Sequence, residues 1–263
     1  MPQRTNVVTG ARSGIGRATT ELLRARGERV IGIDIGDCDV VADLSTAAGR
    51  AHAIERVSAM GAGAIDSLIA CAGLSTSDGP AVVSVNYFGT VAIAEGLRPL
   101  FSRGDAPRVV IVSSSASLGP HDEAIAAACL DGDENRARLL AAADTEDDAK
   151  ARLGPIYAAT KRAVSRWIRR TAPRVEWAGA GILLNGVAPG LVVTPMTAPM
   201  LATPEGRDVL ARAVPRAVAD PAQPRDLALL LAFLASPDNR YLVGQVPFCD
   251  GGTDVIVRGD AFF

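Results

Sequence analysis

Short aliphatic and β-branched runs alternate along this chain with longer stretches of helical period, and that rhythm restricts its folding more than any other feature. Val109-Val110-Ile111-Val112 is apolar at every position, as a strand must be when both its faces are covered. The spacing predicts strands over 6–9, 29–34, 40–43, 66–71, 108–113, 182–186 and 245–249, with helices over 14–26, 46–59, 81–100, 156–178 and 224–235. Strand and helix repeated in this way give an α/β domain with a doubly wound parallel sheet of seven strands. Analogy with other such sheets, rather than periodicity, supplies the order 3-2-1-4-5-6-7. Two stretches interrupt the rhythm. Residues 119–155 are rich in Ala, Asp and Glu, with acidic clusters at 131–134 and 144–148, and read as an inserted pair of surface helices. Residues 190–224 carry Pro195, Pro199, Pro204, Pro215 and Pro221 and read as a loop with one or two short helices.

The first strand runs directly into Thr9-Gly10-Ala11-Arg12-Ser13-Gly14-Ile15-Gly16, which opens the first helix. Glycines there permit a tight turn and close approach of the backbone to a pyrophosphate, which the unpaired N–H groups of the helix start can bind. Asp34 ends the second strand, placed to accept the ribose hydroxyls of an adenosine. Its charge would repel a 2′-phosphate, so NAD is favoured over NADP. Ser13 stands where NADP users often place a cation, while Arg12 is discordant because it is long enough to reach a phosphate. Asp43 and Leu44 follow the third strand, beside the expected adenine. Cys71 and Gly73 end the fourth, where a missing side chain lets the adenosine half lie close, although a turn glycine would fit equally well.

Tyr157-Ala158-Ala159-Thr160-Lys161 puts a phenol and an ammonium on one helix face, one turn apart. A tyrosine working as a base near neutrality needs its pKa lowered by roughly 3 units, and a neighbouring cation has the right sign. Of 27 basic residues only Lys150 and Lys161 are lysines, so a chain that otherwise uses arginine places a compact ammonium here. Ser114 lies at the end of the fifth strand and can donate to a substrate oxygen. Alternation sends its neighbours Ser113 and Ser115 to the opposite side. Asn86 falls inside an apolar helix, where an asparagine is unfavourable unless bonded; it is placed to break the helix and hold a water near Lys161. Pro189, Gly190, Val192 and Thr194 follow the sixth strand, within reach of a nicotinamide carboxamide.

Together these motifs resemble the short-chain dehydrogenase/reductase family: TGARSGIG, Asp34, Asp43, the CAG triplet at 71–73, Asn86, Ser114, Tyr157 with Lys161, PGLVVT at 189–194 and DGG at 250–252. The phrases GIDIGD, VVADLSTAAGR and VVSVNYFG, and the long segment between Ser114 and Tyr157, are similar to its bacterial 3α-hydroxysteroid dehydrogenase/carbonyl reductase branch. The resemblance implies a single Rossmann domain over 1–263, NAD-linked alcohol–ketone chemistry, and Ser114, Tyr157, Lys161 and Asn86 as the catalytic set, with no metal. It also implies a homodimer or homotetramer. Cys71 stands where the family usually has asparagine, so a hydrogen bond steadying the sheet is expected to be missing. The insertion is expected to cover the Tyr157 helix, leaving association to the helix over 224–235 and the last strand.

Composition narrows the partners. A net charge of -2 gives no basic footprint for nucleic acid and no polybasic membrane patch. The amino terminus shows no apolar run for secretion, and the longest apolar helix, 227–235, is too short to span a bilayer. Cys38, Cys71, Cys129 and Cys249 are scattered without zinc-type spacing, which fits a reducing cytoplasm. Leu191, Val192, Val193, Met196, Met200 and Leu201 suggest a lid over a small apolar alcohol or ketone, with core packing an equal reading. Three functions fit: a steroid-like alcohol dehydrogenase, a dehydrogenase of another class such as monoterpenols or small ketones, and a non-catalytic NAD sensor.

Overall fold

A computed structural model describes residues 3–143 and 145–261 of the chain; the first two and last two residues of the expected domain, and Asp144, lie outside the described residues. Seven parallel strands form one sheet: β1 (Thr5–Thr9), β2 (Arg29–Asp34), β3 (Val40–Val41), β4 (Ser67–Ala70), β5 (Arg108–Val112), β6 (Leu183–Pro189) and β7 (Phe248–Cys249). They lie in the order β3-β2-β1-β4-β5-β6-β7, as expected. Alternate residues serve opposite faces. Val7, Leu68, Val109 and Ile111 join one core cluster, while Val8, Ile69, Val110 and Val187 join the other. This double burial is why the strands read as unbroken apolar runs.

Helices cover both faces. α1 (Gly14–Ala25) and α2 (Ala47–Met60) begin close to their expected positions. The helix expected over 81–100 is instead three pieces: α3 (Gly79–Val83), a π-helical turn (Ser84–Gly89) and α4 (Thr90–Phe101). Asn86 sits in that turn, so the break read from the sequence is present as a widened turn.

The insertion differs most from expectation. α5 (Glu123–Leu130) and α6 (Glu134–Ala141) form the expected pair, and α6 exposes Asn135, Arg136, Arg138 and Leu139 as a surface helix does, but both also pack inward. Ile125, Ala126, Ala128, Cys129 and Ala137 are fully buried in the main core. The second acidic cluster opens the next helix, α7 (Glu146–Thr171), ten residues before the expected start. Thr145 caps it by accepting from the Asp148 N–H at 3.1 Å, and Glu146, Asp147 and Asp148 complement the dipole of its first turn. Pro155 lies within α7 and does not end it. The carboxyl end stops at Thr171, just before Pro173, rather than at 178. The proline-rich stretch carries α8 (Ala198–Leu201) and α9 (Pro204–Ala213); α10 (Pro224–Leu234) and α11 (Thr253–Arg258) complete the chain.

Candidate active site

A cavity of about 680 Å³ opens where the carboxyl ends of the strands meet the loops that follow them. The alternation places β1, β2, β4, β5 and β6 side by side, so residues from remote parts of the chain converge there. Gly10, Ser13, Gly14, Ile15 and Gly16 line one end. Gly10 and Gly14 have φ of +68° and +51°, a backbone region that side chains disfavour. A Cβ at Gly16 would lie 2.2 Å from the Gly10 carbonyl oxygen, so the turn can close only on glycine. α1 starts without a side-chain cap, leaving its first N–H groups free to face the cavity. An uncapped helix start above a glycine cradle fits the pyrophosphate of a dinucleotide.

The adenosine end is bounded by Asp34, Asp43 and Leu44. Asp34 accepts from the Arg12 N–H at 3.1 Å and the Ile35 N–H at 2.8 Å, which holds its carboxylate at the cavity edge. The Arg12 guanidinium lies against Gly36, where an added Cβ would meet its Nη1. Asp43 lies beyond β3, which is shorter than expected, and accepts from the Ser45 N–H at 2.8 Å.

At the other end Cys71, Gly73, Ser114, Tyr157 and Lys161 come together, and Pro189, Gly190, Val192 and Thr194 close the wall. A Cβ on Gly73 would approach the Asn86 Oδ1 to 3.3 Å and the Lys161 Nζ to 3.5 Å. Alternation separates the serines as expected. Ser113 turns away, donating to the Lys161 carbonyl at 3.0 Å and sharing a 2.7 Å bond with Ser165. Ser114 caps the 3₁₀ turn Ser115–Leu118 and hydrogen-bonds the Tyr157 phenol.

The electrostatics correct one expectation. Burial pushes the Tyr157 phenol above its ordinary value, and the Ser114 hydrogen bond opposes this only in part. Burial likewise lowers the pKa of the Lys161 ammonium, to about 8. Its Nζ is 5.7 Å from the tyrosine ring centroid and donates to the Val112 carbonyl at 3.0 Å. This arrangement favours a protonated phenol, the state that donates a proton.

Asn86 does not line the cavity. Its amide accepts from the Leu74 N–H at 2.7 Å and donates to the Leu74 carbonyl at 2.9 Å and to Thr160 Oγ1 at 3.2 Å. It locks the loop after β4 to α7 from behind. The tie between β1 and β4 expected to be missing at Cys71 is made by Thr9, whose hydroxyl accepts from the Ala72 N–H at 3.0 Å. The Cys71 thiol is pushed up to about 12 by burial, against the pull of Lys161.

Of the lid residues, Leu191, Val192, Met196 and Met200 line the cavity, whereas Val193 and Leu201 do not. The Val193 N–H pairs with the Ala222 carbonyl at 2.9 Å. Sequence reasoning missed Leu74, Val85, Leu210 and Val214, which also line it. Leu210 sits on α9, and the hydrophobic spacing of that helix was the signal available.

The chain belongs to the short-chain dehydrogenase/reductase family, and is thus an NAD(P)-dependent oxidoreductase acting on CH–OH groups. It is 37% identical to a 3-alpha-hydroxysteroid dehydrogenase/carbonyl reductase of Comamonas testosteroni, with 97% of this chain and 98% of that protein aligned. A solved 3-alpha-hydroxysteroid dehydrogenase from Pseudomonas sp. B-0831, complexed with NADH, superposes with TM-score 0.89 at 40% identity, covering 98% of this chain and 100% of that one. A cis-4-hydroxycyclohexanecarboxylate dehydrogenase of Sinomonas cyclohexanicum is 29% identical over 95% of this chain and 96% of its own. Residues 135–254 also match the family described as enoyl-(acyl carrier protein) reductase. Among the described residues no helix is long and apolar enough to cross a membrane.

Proposed function

We propose that this protein interconverts an apolar secondary alcohol, of the 3α-hydroxysteroid class, and its ketone, using NAD. The observation that carries this reading is the Ser114–Tyr157–Lys161 cluster standing at the foot of a cavity wall made of Leu191, Val192, Met196, Met200, Leu210 and Val214. The relatives named as acting on 3-alpha-hydroxysteroids support the substrate class. Asp34 supports NAD over NADP, since its fixed carboxylate would face a 2′-phosphate with like charge.

The glycine turn and α1 start would hold the pyrophosphate, Asp34 the ribose, and Pro189 to Thr194 the carboxamide. A dinucleotide bound so would supply hydride chemistry at the carbinol carbon. Ser114 donates a hydrogen bond to the substrate oxygen. Tyr157 gives that oxygen its proton during ketone reduction and takes it back during alcohol oxidation. Lys161 would orient the nicotinamide ribose, and Asn86 holds the loop that carries Gly73. The apolar wall excludes water from the transfer.

A panel of 3α-hydroxysteroids, monoterpenols and small polar alcohols, assayed with NAD and NADP, tests the reading. The expected result is the highest kcat/KM on the steroids and at least about a tenfold preference for NAD. Best turnover on small polar alcohols, or a preference for NADP, would contradict it. Association is assigned to α10, which exposes Leu229 and Phe233, and to edge strand β7, because α5 covers α7. Sedimentation should show Phe233→Glu as smaller than the wild-type assembly.

A further inference from the structure

None of the described residues between 119 and 155 lines the cavity. One of them is nevertheless connected to its adenosine end. Glu134, the first residue of α6, receives a two-pronged ion pair from Arg50 of α2, with Nη1 to Oε2 at 2.7 Å and Nη2 to Oε1 at 2.6 Å. The opposite edge of the same guanidinium donates from Nε to the Leu44 carbonyl at 2.8 Å. Nη2 also reaches the Ser45 and Ser84 carbonyls, both at 3.2 Å. Leu44 and Ser45 line the cavity directly after Asp43, and Ser84 opens the π-helical turn that carries Val85 and Asn86.

Arg50 is only 7% exposed, so its charge needs a partner. Burial raises the Glu134 carboxyl, but hydrogen bonds from Arg50 and Ser84 outweigh it and hold the group below its ordinary value. Arg138, one helical turn on, donates to the Ser84 hydroxyl at 2.6 Å and pins α6 to the same turn. A guanidinium is a rigid planar fork, so fixing one edge aims the other.

We propose that Glu134 is a positioning residue for the dinucleotide: by holding Arg50 it sets the Leu44 and Ser45 backbone, the wall against which the adenine is bound. The inference rests on reading the cavity as the dinucleotide site. It gives the insertion a part in cofactor affinity, acting on the end of the cavity far from the chemistry. Without the carboxylate, Arg50 must hydrate or swing, and the loop it holds loosens.

Calorimetric titration of wild type, Glu134→Ala and Glu134→Gln with ADP and, separately, nicotinamide mononucleotide tests this. ADP should bind about tenfold more weakly to the alanine variant and about threefold more weakly to the glutamine variant, which keeps the volume and one acceptor. Nicotinamide mononucleotide affinity, and kcat at saturating NAD, should stay within about twofold of wild type. If the alanine variant does not fold, the glutamine variant carries the same expectation. Unchanged ADP affinity in a folded variant, or equal weakening of both fragments, overturns the proposal. Failure of the wild type to bind ADP overturns it together with the dinucleotide reading beneath it.

Discussion

The two walls of the cavity are built on different principles. Beneath the floor, Lys161, Asn86, Ser113 and Thr160 are all buried, and each makes at least one hydrogen bond to backbone or to a neighbouring side chain. The opposite wall is carried by the Thr194–Thr197 turn, the parallel bridge between Val192 and Ala222, and the helices α8 and α9. It leaves Met196, Met200, Val209 and Val218 exposed. A buried polar group is costly unless paired, so the floor has essentially one arrangement. Apolar side chains half in solvent can repack around guests of different shape. On the proposed function, the chemistry is built in advance and substrate fit is left to the wall that can adjust.

Substitutions on the floor should cost far more than substitutions on the lid. Tyr157→Phe removes the proton donor while keeping the ring, so turnover should fall by about 10³-fold or more. NADH binding, followed by fluorescence, should be retained; wild-type turnover would break the contrast outright. The two neighbouring serines sharpen it. Ser114→Ala should lower kcat by about 10²-fold with little change in Tm. Ser113→Ala should instead lower stability by about 1–2 kcal/mol, because it strips the Lys161 carbonyl and Ser165 of a buried partner, while leaving kcat near wild type.

Lys161 separates activity from stability. Its folded pKa of about 8 lies below the ordinary 10.5, so between those values the unfolded chain binds more protons and stability rises with pH. Below pH 8 the cost of burying the ammonium is fully present. Lys161→Met should thus stabilise the protein without dinucleotide by about 2 kcal/mol at neutral pH, with the gain shrinking as pH rises from 8 towards 10.5. Its turnover should drop sharply at every pH. Denaturant titrations at pH 7 and pH 10 check this; a Met variant less stable than wild type at pH 7 is the contrary result. The smallest effect belongs to the lid. Met196→Ala should lower kcat/KM for a steroid-sized alcohol by about tenfold, and much less for a small one. Its stability should stay within about 0.5 kcal/mol of wild type, since the side chain is already half in solvent.

Most of the cavity floor was legible before any fold was known, because its residues belong to local patterns. A glycine turn between a strand and a helix, an acid at the next strand end, and a phenol and ammonium one turn apart each carry their geometry over a few residues. The strand alternation that sends Ser113 and Ser114 to opposite sides is equally local, and the structure bears it out. The start of α7 near Pro155 was not legible, whereas Pro224 opens α10 as expected. Pro155 reads as a breaker, yet α7 passes through it because a capped, acidic first turn and burial against α5 hold the helix on both sides. The inward packing of α5 was missed for a related reason. The insertion's charged faces dominate its composition, while the alanines that pack into the core give little periodic signal.

Local order in the chain alone determined the alternation of strands and helices, the nucleotide-binding turn and the placing of Tyr157 and Lys161 on one helix face, since short-range periodicity and backbone sterics dictate each. Only the tertiary structure decided how those groups are charged. Burial raises the phenol and lowers the ammonium, and burial is a sum over neighbours that no spacing reveals. It also decided that Asn86 serves the Leu74 loop, that Thr9 replaces the tie absent at Cys71, and that Glu134 reaches Arg50 across 84 positions of sequence. Contacts of that range depend on how helices pack against a sheet, and a linear pattern carries no distance between them.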